Sequence, residues 1–519
     1  MKQLNIENMM KFPMTKQIMK AIFSFLFLMT GYMSVRAQSI TQRPELYRPQ
    51  IHFSPKEHWM NDPNGMVYQN GVYHLFFQHY PEGTVWGPMH WGHAISKDLV
   101  HFQEQPIALY PDSLGYIFSG SAVVDRNNTS GFGEYGKIPL VAIYTNHDPK
   151  GEKAGGNTYQ NQSIAYSLDK GKTWTKYEHN PVLRNPGISD FRDPKVMWYE
   201  AGKKWIMTLA TKDRISFYSS PNLKEWTKES EFGERLGAHG GVWECPDLFT
   251  LNYKGQKIWV LVVNINPGGP NGGSATQYFT GSFDGQRFTP DVRNIKWLDY
   301  GPDEYAGVTW SNTGKRKIFL GWMSNWDYAN VVPTKNWRSA MTIARELGLK
   351  KHHHQYIISS VPVKEFRESS KMVYKKKDLH VSDEVMGKAD APQSPYILNV
   401  EAEAGKNVSF ELSNVYGEKL VVGFDKASNQ YYIDRSQAGQ TDFKKGFAKR
   451  AVAPRLSDDR KMKLALVVDM ASVELFADDG STVMTAIFFP QSLLNQIRVR
   501  SKETIHLNSV QIKMVKTNP

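Results

Sequence analysis

Three acidic residues stand where carboxylate chemistry could be done. Asp62 lies in Asn61-Asp62-Pro63-Asn64-Gly65, Asp193 in Phe191-Arg192-Asp193-Pro194, and Glu244 in Trp243-Glu244-Cys245-Pro246-Asp247-Leu248-Phe249. Each is followed by an alternating apolar run. Read locally, Asp-Pro-Asn-Gly is a turn, because Pro presets φ and Asn and Gly accept positive φ. That reading explains one acid well and three in the same setting poorly. Two carboxylates flanking a bond are the usual equipment for cleaving a glycoside, one as acid and the other as nucleophile or base. A separation of about 5–5.5 Å permits a covalent glycosyl-enzyme and retention, whereas wider spacing admits a water and gives inversion. The acid has to keep its proton, which burial and a nearby like charge both favour. Arg192, beside Asp193, is suited to pairing with an acid or gripping hydroxyls.

Converging these acids requires elements that bring distant residues to one place. Between residues 45 and 350 helical periodicity is scarce, and short alternating runs separated by Gly, Asn, Asp and Pro dominate, which is an all-β pattern. A repeat is present: "HAISKDLVHF", "IAYSLDKGKTW", "SFYSSPNLKEW" and "FTGSFDGQRF" each join a strand ending in Ser to a turn and a closing aromatic, Phe102, Trp174, Trp226 and Phe288. Five hairpins of strand, polar turn and strand begin the successive units, among them "GMVYQNGVYHLFF" after Asp62 and "KVMWYEAGKKWIMTLA" after Asp193. Radially repeated four-stranded sheets form a β-propeller, and five hairpins predict five blades. First strands line the channel of a propeller, so Asp62, Asp193 and Glu244 are expected at one mouth. "SSVPVKEFRES" reads as a linker. The strand runs beyond it lack the blade repeat and suggest a β-sandwich. The expected division is a leader at 1–37, a propeller at 45–358, a linker at 359–370 and a sandwich at 371–517.

Composition narrows the function classes. Residues 1–37 carry a basic start, an apolar stretch from Ala21 to Met33 and small residues Val35 and Ala37, the form of a secretory signal peptide. Removing them takes five basic and one acidic residue from the formal +12, leaving +8. No second apolar stretch has membrane length. Nucleic-acid binding is not expected, because basic and aromatic residues are not interleaved on one module. Aromatics reach 13%, a level that suits both strands and the flat faces of sugar-binding clefts. A metal or other cofactor is not expected: histidines are scattered or consecutive, as at His352-His353-His354, and consecutive histidines cannot all face one ion on regular structure. The single cysteine, Cys245, excludes disulfides within the chain, so the core alone must hold an exported fold.

Taken together, His52-x-x-Pro55 with Met60-Asn61-Asp62-Pro63-Asn64-Gly65, "FRDP", "WECPDLF", "FSGS" at 118–121, Gln78 in "FFQHYP" and Trp86 in "VWGPMHWGH" resemble, in order, the motifs of glycoside hydrolase family 32. "VELFADDGSTVMTAIFFP" resembles that family's C-terminal sandwich. The resemblance implies a five-bladed propeller with a β-sandwich and retaining hydrolysis of β-fructofuranosides. It further implies Asp62 as nucleophile, Glu244 as acid/base, and Asp193 as holder of fructose hydroxyls and stabiliser of the transition state, with Arg192 beside it. Trp59, Asn61, Gln78, Trp86, Phe118 and Ser119 are implied in the fructose pocket, and Cys245 in tuning the acid's surroundings. "GGVWECPDLF" with "NINPGGPNGGSATQYF" resembles levanase and exo-inulinase members, so a fructan β-fructosidase releasing terminal fructose from levan or inulin, and also cleaving sucrose, is expected. The other readings are an endo-levanase, a sucrose-specialised invertase, and a propeller that binds fructan without cutting it.

Overall fold

The computed structural model describes residues 45–386, 392 and 395–517; the leader read at 1–37 lies outside them. Five antiparallel sheets, each built on four strands, succeed one another along the chain. Their inner strands are His58–Gln69, Tyr116–Val124, Phe191–Tyr199, Val242–Tyr253 and Tyr305–Thr309. Each inner strand neighbours that of the next blade, and the fifth returns to the first. The ring closes through Tyr68 N–H to Ser311 O at 3.0 Å and Ser311 N–H to Met66 O at 2.9 Å. This is a five-bladed β-propeller.

Apolar alternation along the strands is what packs the blades. Phe76, Trp91 and Tyr144 fill the wedge between blades one and two, and Phe191, Trp205 and Tyr218 that between two and three. Trp243 and Phe279 lie between three and four, and Phe249 and Phe319 between four and five. Full burial of a Phe such as Phe76 contributes about 1.5–3 kcal/mol. The repeat legible in the sequence has a common hydrogen bond. Ser96 Oγ accepts from Leu99 N–H at 2.9 Å, Ser167 Oγ from Gly171 N–H at 2.8 Å, and Ser220 Oγ from Leu223 N–H at 2.8 Å. In the fourth member Asp284 takes over, accepting from the N–H groups of Gln286 and Arg287.

The expected turn at Asp62-Pro63-Asn64-Gly65 is instead part of an unbroken strand, His58–Gln69. Pairing with Val72–Tyr80 slips between Met60 and Pro63 and again between Asn64 and Val67. These slips are β-bulges, which insert an extra residue and re-aim side chains. Every inner strand has one near its start: Phe118–Ser119 in blade two, Asp193–Pro194 in three, Cys245–Pro246 in four and Ala306–Gly307 in five. Asn, Asp, Pro and Gly suit a bulge for the reasons that suit them to a turn, and pairing with the next strand decides between the two. Gly65 has φ +52°, and a β-carbon there would meet Phe76 at 2.6 Å and Trp91 at 2.7 Å.

Beyond the fifth blade, a short helix (Lys364–Glu368) leads into Ser370–Met386 and the β-sandwich. Its last strand, Gln496–Val515, pairs with Val408–Ser413 over one half and Tyr396–Glu403 over the other, and so joins both layers. Buried charges join the sandwich to the propeller. His52 meets Asp469 at 2.7 Å and Glu474 at 2.8 Å, Arg345 Nε donates to Glu474 at 3.0 Å and Nη1 to Asp299 at 2.9 Å, and Arg435 pairs with Asp303 at 2.6 Å.

Candidate active site

The bulged ends of the inner strands of blades one to four present residues to a cavity of about 370 Å³. Asn61, Asp62, Gln78, Trp86, Phe118, Ser119, Arg192, Asp193 and Glu244 all line it. Two expected members do not. Trp59 is fully buried, and its Nε1 donates to Asn61 Oδ1 at 2.7 Å. It therefore acts on Asn61, whose Nδ2 is left to donate to Asp62 Oδ1 at 2.8 Å. Cys245 lies behind the acids. Its Sγ donates to Asp62 Oδ2 at 3.5 Å and Asp193 Oδ2 at 3.7 Å, and its backbone N–H donates to Asp193 Oδ2 at 3.0 Å.

The acids do not occupy matching places. Asp193 sits inside its bulge with φ +64°, a place that Cys245 (φ +42°) and Ala306 (φ +54°) hold in the next two blades. Glu244 is one residue earlier, level with Arg192 and Tyr305. These three side chains consequently meet. Arg192 donates to Glu244 Oε1 from Nη2 at 2.8 Å and from Nε at 3.2 Å, and Tyr305 donates its hydroxyl to Glu244 Oε2. Arg192 Nη1 also donates to Asp190. Asp62 Oδ2 accepts from Ser119 Oγ at 2.6 Å. Asp62 and Glu244 are thus each held at both oxygens.

Burial raises the pKa of Asp62, and the charge of Glu244 raises it further. Burial also pushes Asp193 up, to about 7; Arg192 opposes this while Glu244 and Asp62 add to it. Cys245 is driven far toward the protonated thiol by burial and the same carboxylates, so it serves as a donor.

The sequence reading missed Asp190, His147, Glu152, Gln160, Trp326 and Asn330 in the lining, and Tyr305 behind it. Tyr305 could have been found by aligning "DEYAG" on "VWECP". Trp326 and Asn330 arrive on a loop without a repeat signal. Asn330 Oδ1 accepts from Trp86 N–H at 2.9 Å and so anchors the half-exposed Trp86 at the rim. Behind the acids polar pairs tie blade two to blade three: Asp193 N–H to Thr145 Oγ1 at 3.0 Å, Thr145 to Gln162 at 2.7 Å, and Ser121 to Pro194 O at 2.9 Å.

Paired carboxylates, each held at both oxygens and facing one cavity on a propeller, are the equipment of a glycosidase site. Comparison with known proteins agrees. The model for the glycosyl hydrolases family 32 N-terminal domain matches residues 52–360, and that for the family's C-terminal domain matches 363–514. The chain is 48% identical over 491 residues to a levanase of Bacillus subtilis (strain 168), covering 92% of this chain and 71% of the relative. It is 41% identical over 484 residues to an extracellular exo-inulinase of Aspergillus niger, covering 86% and 90%. The solved exo-inulinase of Aspergillus awamori superposes with a TM-score of 0.84 at 37% identity, covering 91% of this chain and 99% of that one. A fructofuranosidase of Schwanniomyces occidentalis complexed with fructosylnystose gives 0.84 at 36%, covering 91% and 98%. The chain belongs to glycosyl hydrolase family 32, and it is a glycosidase.

Proposed function

We propose that this chain is a retaining, exo-acting hydrolase that releases terminal β-D-fructofuranosyl units from fructans such as levan and inulin, and that it also cleaves sucrose and fructo-oligosaccharides. The small pocket carries this reading: a cavity of about 370 Å³ gathers Asp62, Asp193 and Glu244 around one place, which suits a single terminal sugar better than an internal segment. The levanase and exo-inulinase relatives support the fructan assignment. In this mechanism Asp62, oriented by Asn61, Ser119 and Cys245, attacks the anomeric carbon of the terminal fructose. Glu244, held by Arg192 and Tyr305, protonates the departing oxygen and later takes a proton from the incoming water. Asp193 binds fructose hydroxyls and stabilises the positive charge that develops on the ring. Gln78, Trp86, Phe118 and Trp326 wall the sugar. Export through the leader at 1–37 belongs to the same proposal and is in keeping with the extracellular relatives.

Early products on levan test the mode of action. Fructose alone in the first minutes is expected, and a ladder of oligosaccharides would overturn exo action. Asp62→Asn tests the nucleophile. It should lose activity on the order of 10⁴-fold or more with an unchanged circular dichroism spectrum, and undiminished fructose release would refute the assignment.

A further inference from the structure

Blade five ends in a hairpin whose turn is chemically unusual. Strands Arg345–His352 and Gln355–Pro362 pair up to His352 and Gln355, which leaves His353-His354 as a two-residue turn. Both turn residues have positive φ, +46° and +65°. Such turns ordinarily use Asn-Gly, because a β-carbon is unfavourable there, so two histidines run against local preference. Consecutive histidines diverge on a regular strand, but here the turn brings His353 back over His352, with ring centroids 4.0 Å apart. A sandwich loop adds an oxygen: Asp458 Oδ2 is 3.5 Å from His352 Nδ1. The three candidate ligand atoms all lie within 4.8 Å of one another. Ligands about 2.1 Å from a tetrahedral ion stand about 3.4 Å apart, so the His352–Asp458 spacing is already a ligand-to-ligand distance.

We propose that His352, His353 and Asp458 form a divalent transition-metal site, taking Zn²⁺ with water in the fourth position, that braces the fifth blade against the sandwich. Two imidazoles and one carboxylate suit zinc. None of the three residues lines the catalytic pocket, so the site is separate from the hydrolytic machinery.

The test is calorimetric titration of the untagged chain with ZnCl₂, paired with thermal unfolding in Zn²⁺ and in EDTA. One ion per chain with micromolar or tighter affinity is expected, with a Zn²⁺-dependent rise in Tm. His353→Asn, which the turn accepts readily, and Asp458→Asn should each weaken binding by at least about tenfold and abolish the rise. His354→Asn, in the same turn but outside the ligand set, should leave both unchanged. Equal loss from His354→Asn and His353→Asn, or unchanged binding in Asp458→Asn, would mean adventitious surface binding only and would overturn the site. Retained hydrolysis in every variant reports that each has folded.

Discussion

Asp62 and Glu244 are alike in chemistry and are separated by what holds them. Asp62 takes neutral donors from Asn61, Ser119 and Cys245, whereas Glu244 takes a guanidinium and a phenol. Asp62 attacks only when ionised, and burial with the charge of Glu244 raises its pKa. Activity should therefore rise with pH through a midpoint above the ordinary aspartate value of about 3.9. The acid limb of kcat/KM measured on sucrose checks this, and a midpoint below that value would contradict the assigned setting. Tyr305→Phe removes one donor from Glu244. A hydrogen bond to a charged group contributes about 1.5–3 kcal/mol, so kcat/KM should fall roughly 10- to 100-fold with the fold intact. Steady-state kinetics beside a thermal melt separates this effect from destabilisation.

At the scale of the element, the device is a bulge repeated five times near the start of the inner strands. It turns consecutive residues into neighbours of different function: in blade four Glu244 enters the pocket while Cys245 backs it. Gly65, between the two slips of the first strand, is sealed by Phe76 and Trp91. Gly65→Ala should cost about 1–3 kcal/mol by overpacking, with strain at positive φ added, and urea unfolding would measure it. The three acids and the blade count were legible in the sequence, because Asp-Pro and Cys-Pro punctuation and the Ser-turn-aromatic repeat are local signals, whereas Gln78, Trp86, Phe118 and Ser119 came only with the family resemblance. The bulges were not, since Asn-Asp-Pro-Asn-Gly serves a turn and a bulge equally well. Trp59 and Asn330 were not, since pointing toward or away from a cavity depends on neighbours far along the chain.

For the whole molecule, the joint between the domains is made of buried ions that no local pattern announces. Arg345 in "IAREL" and Glu474 in "VELF" read as ordinary strand residues. His52 is raised to about 9, its carboxylate partners outweighing burial. Its folded pKa thus exceeds its ordinary 6.5, so its contribution is fully present below that value and is lost as pH rises through about 9. The contribution is on the order of 3 kcal/mol. His52→Gln should accordingly destabilise the chain strongly at pH 6 and much less at pH 10, as denaturant titrations at the two values would show. A pH-independent loss would mean that His52 acts through packing alone.

The gathering of the acids around one small pocket also dictates traffic. With a fructosyl group on Asp62, the shortened chain has to leave before water can take its place, and fructose follows last. The free enzyme is then the form that meets product fructose. Fructose should inhibit competitively with substrate, and the shortened chain should drive transfer back onto itself at high concentration. Product-inhibition patterns with each species would expose that order.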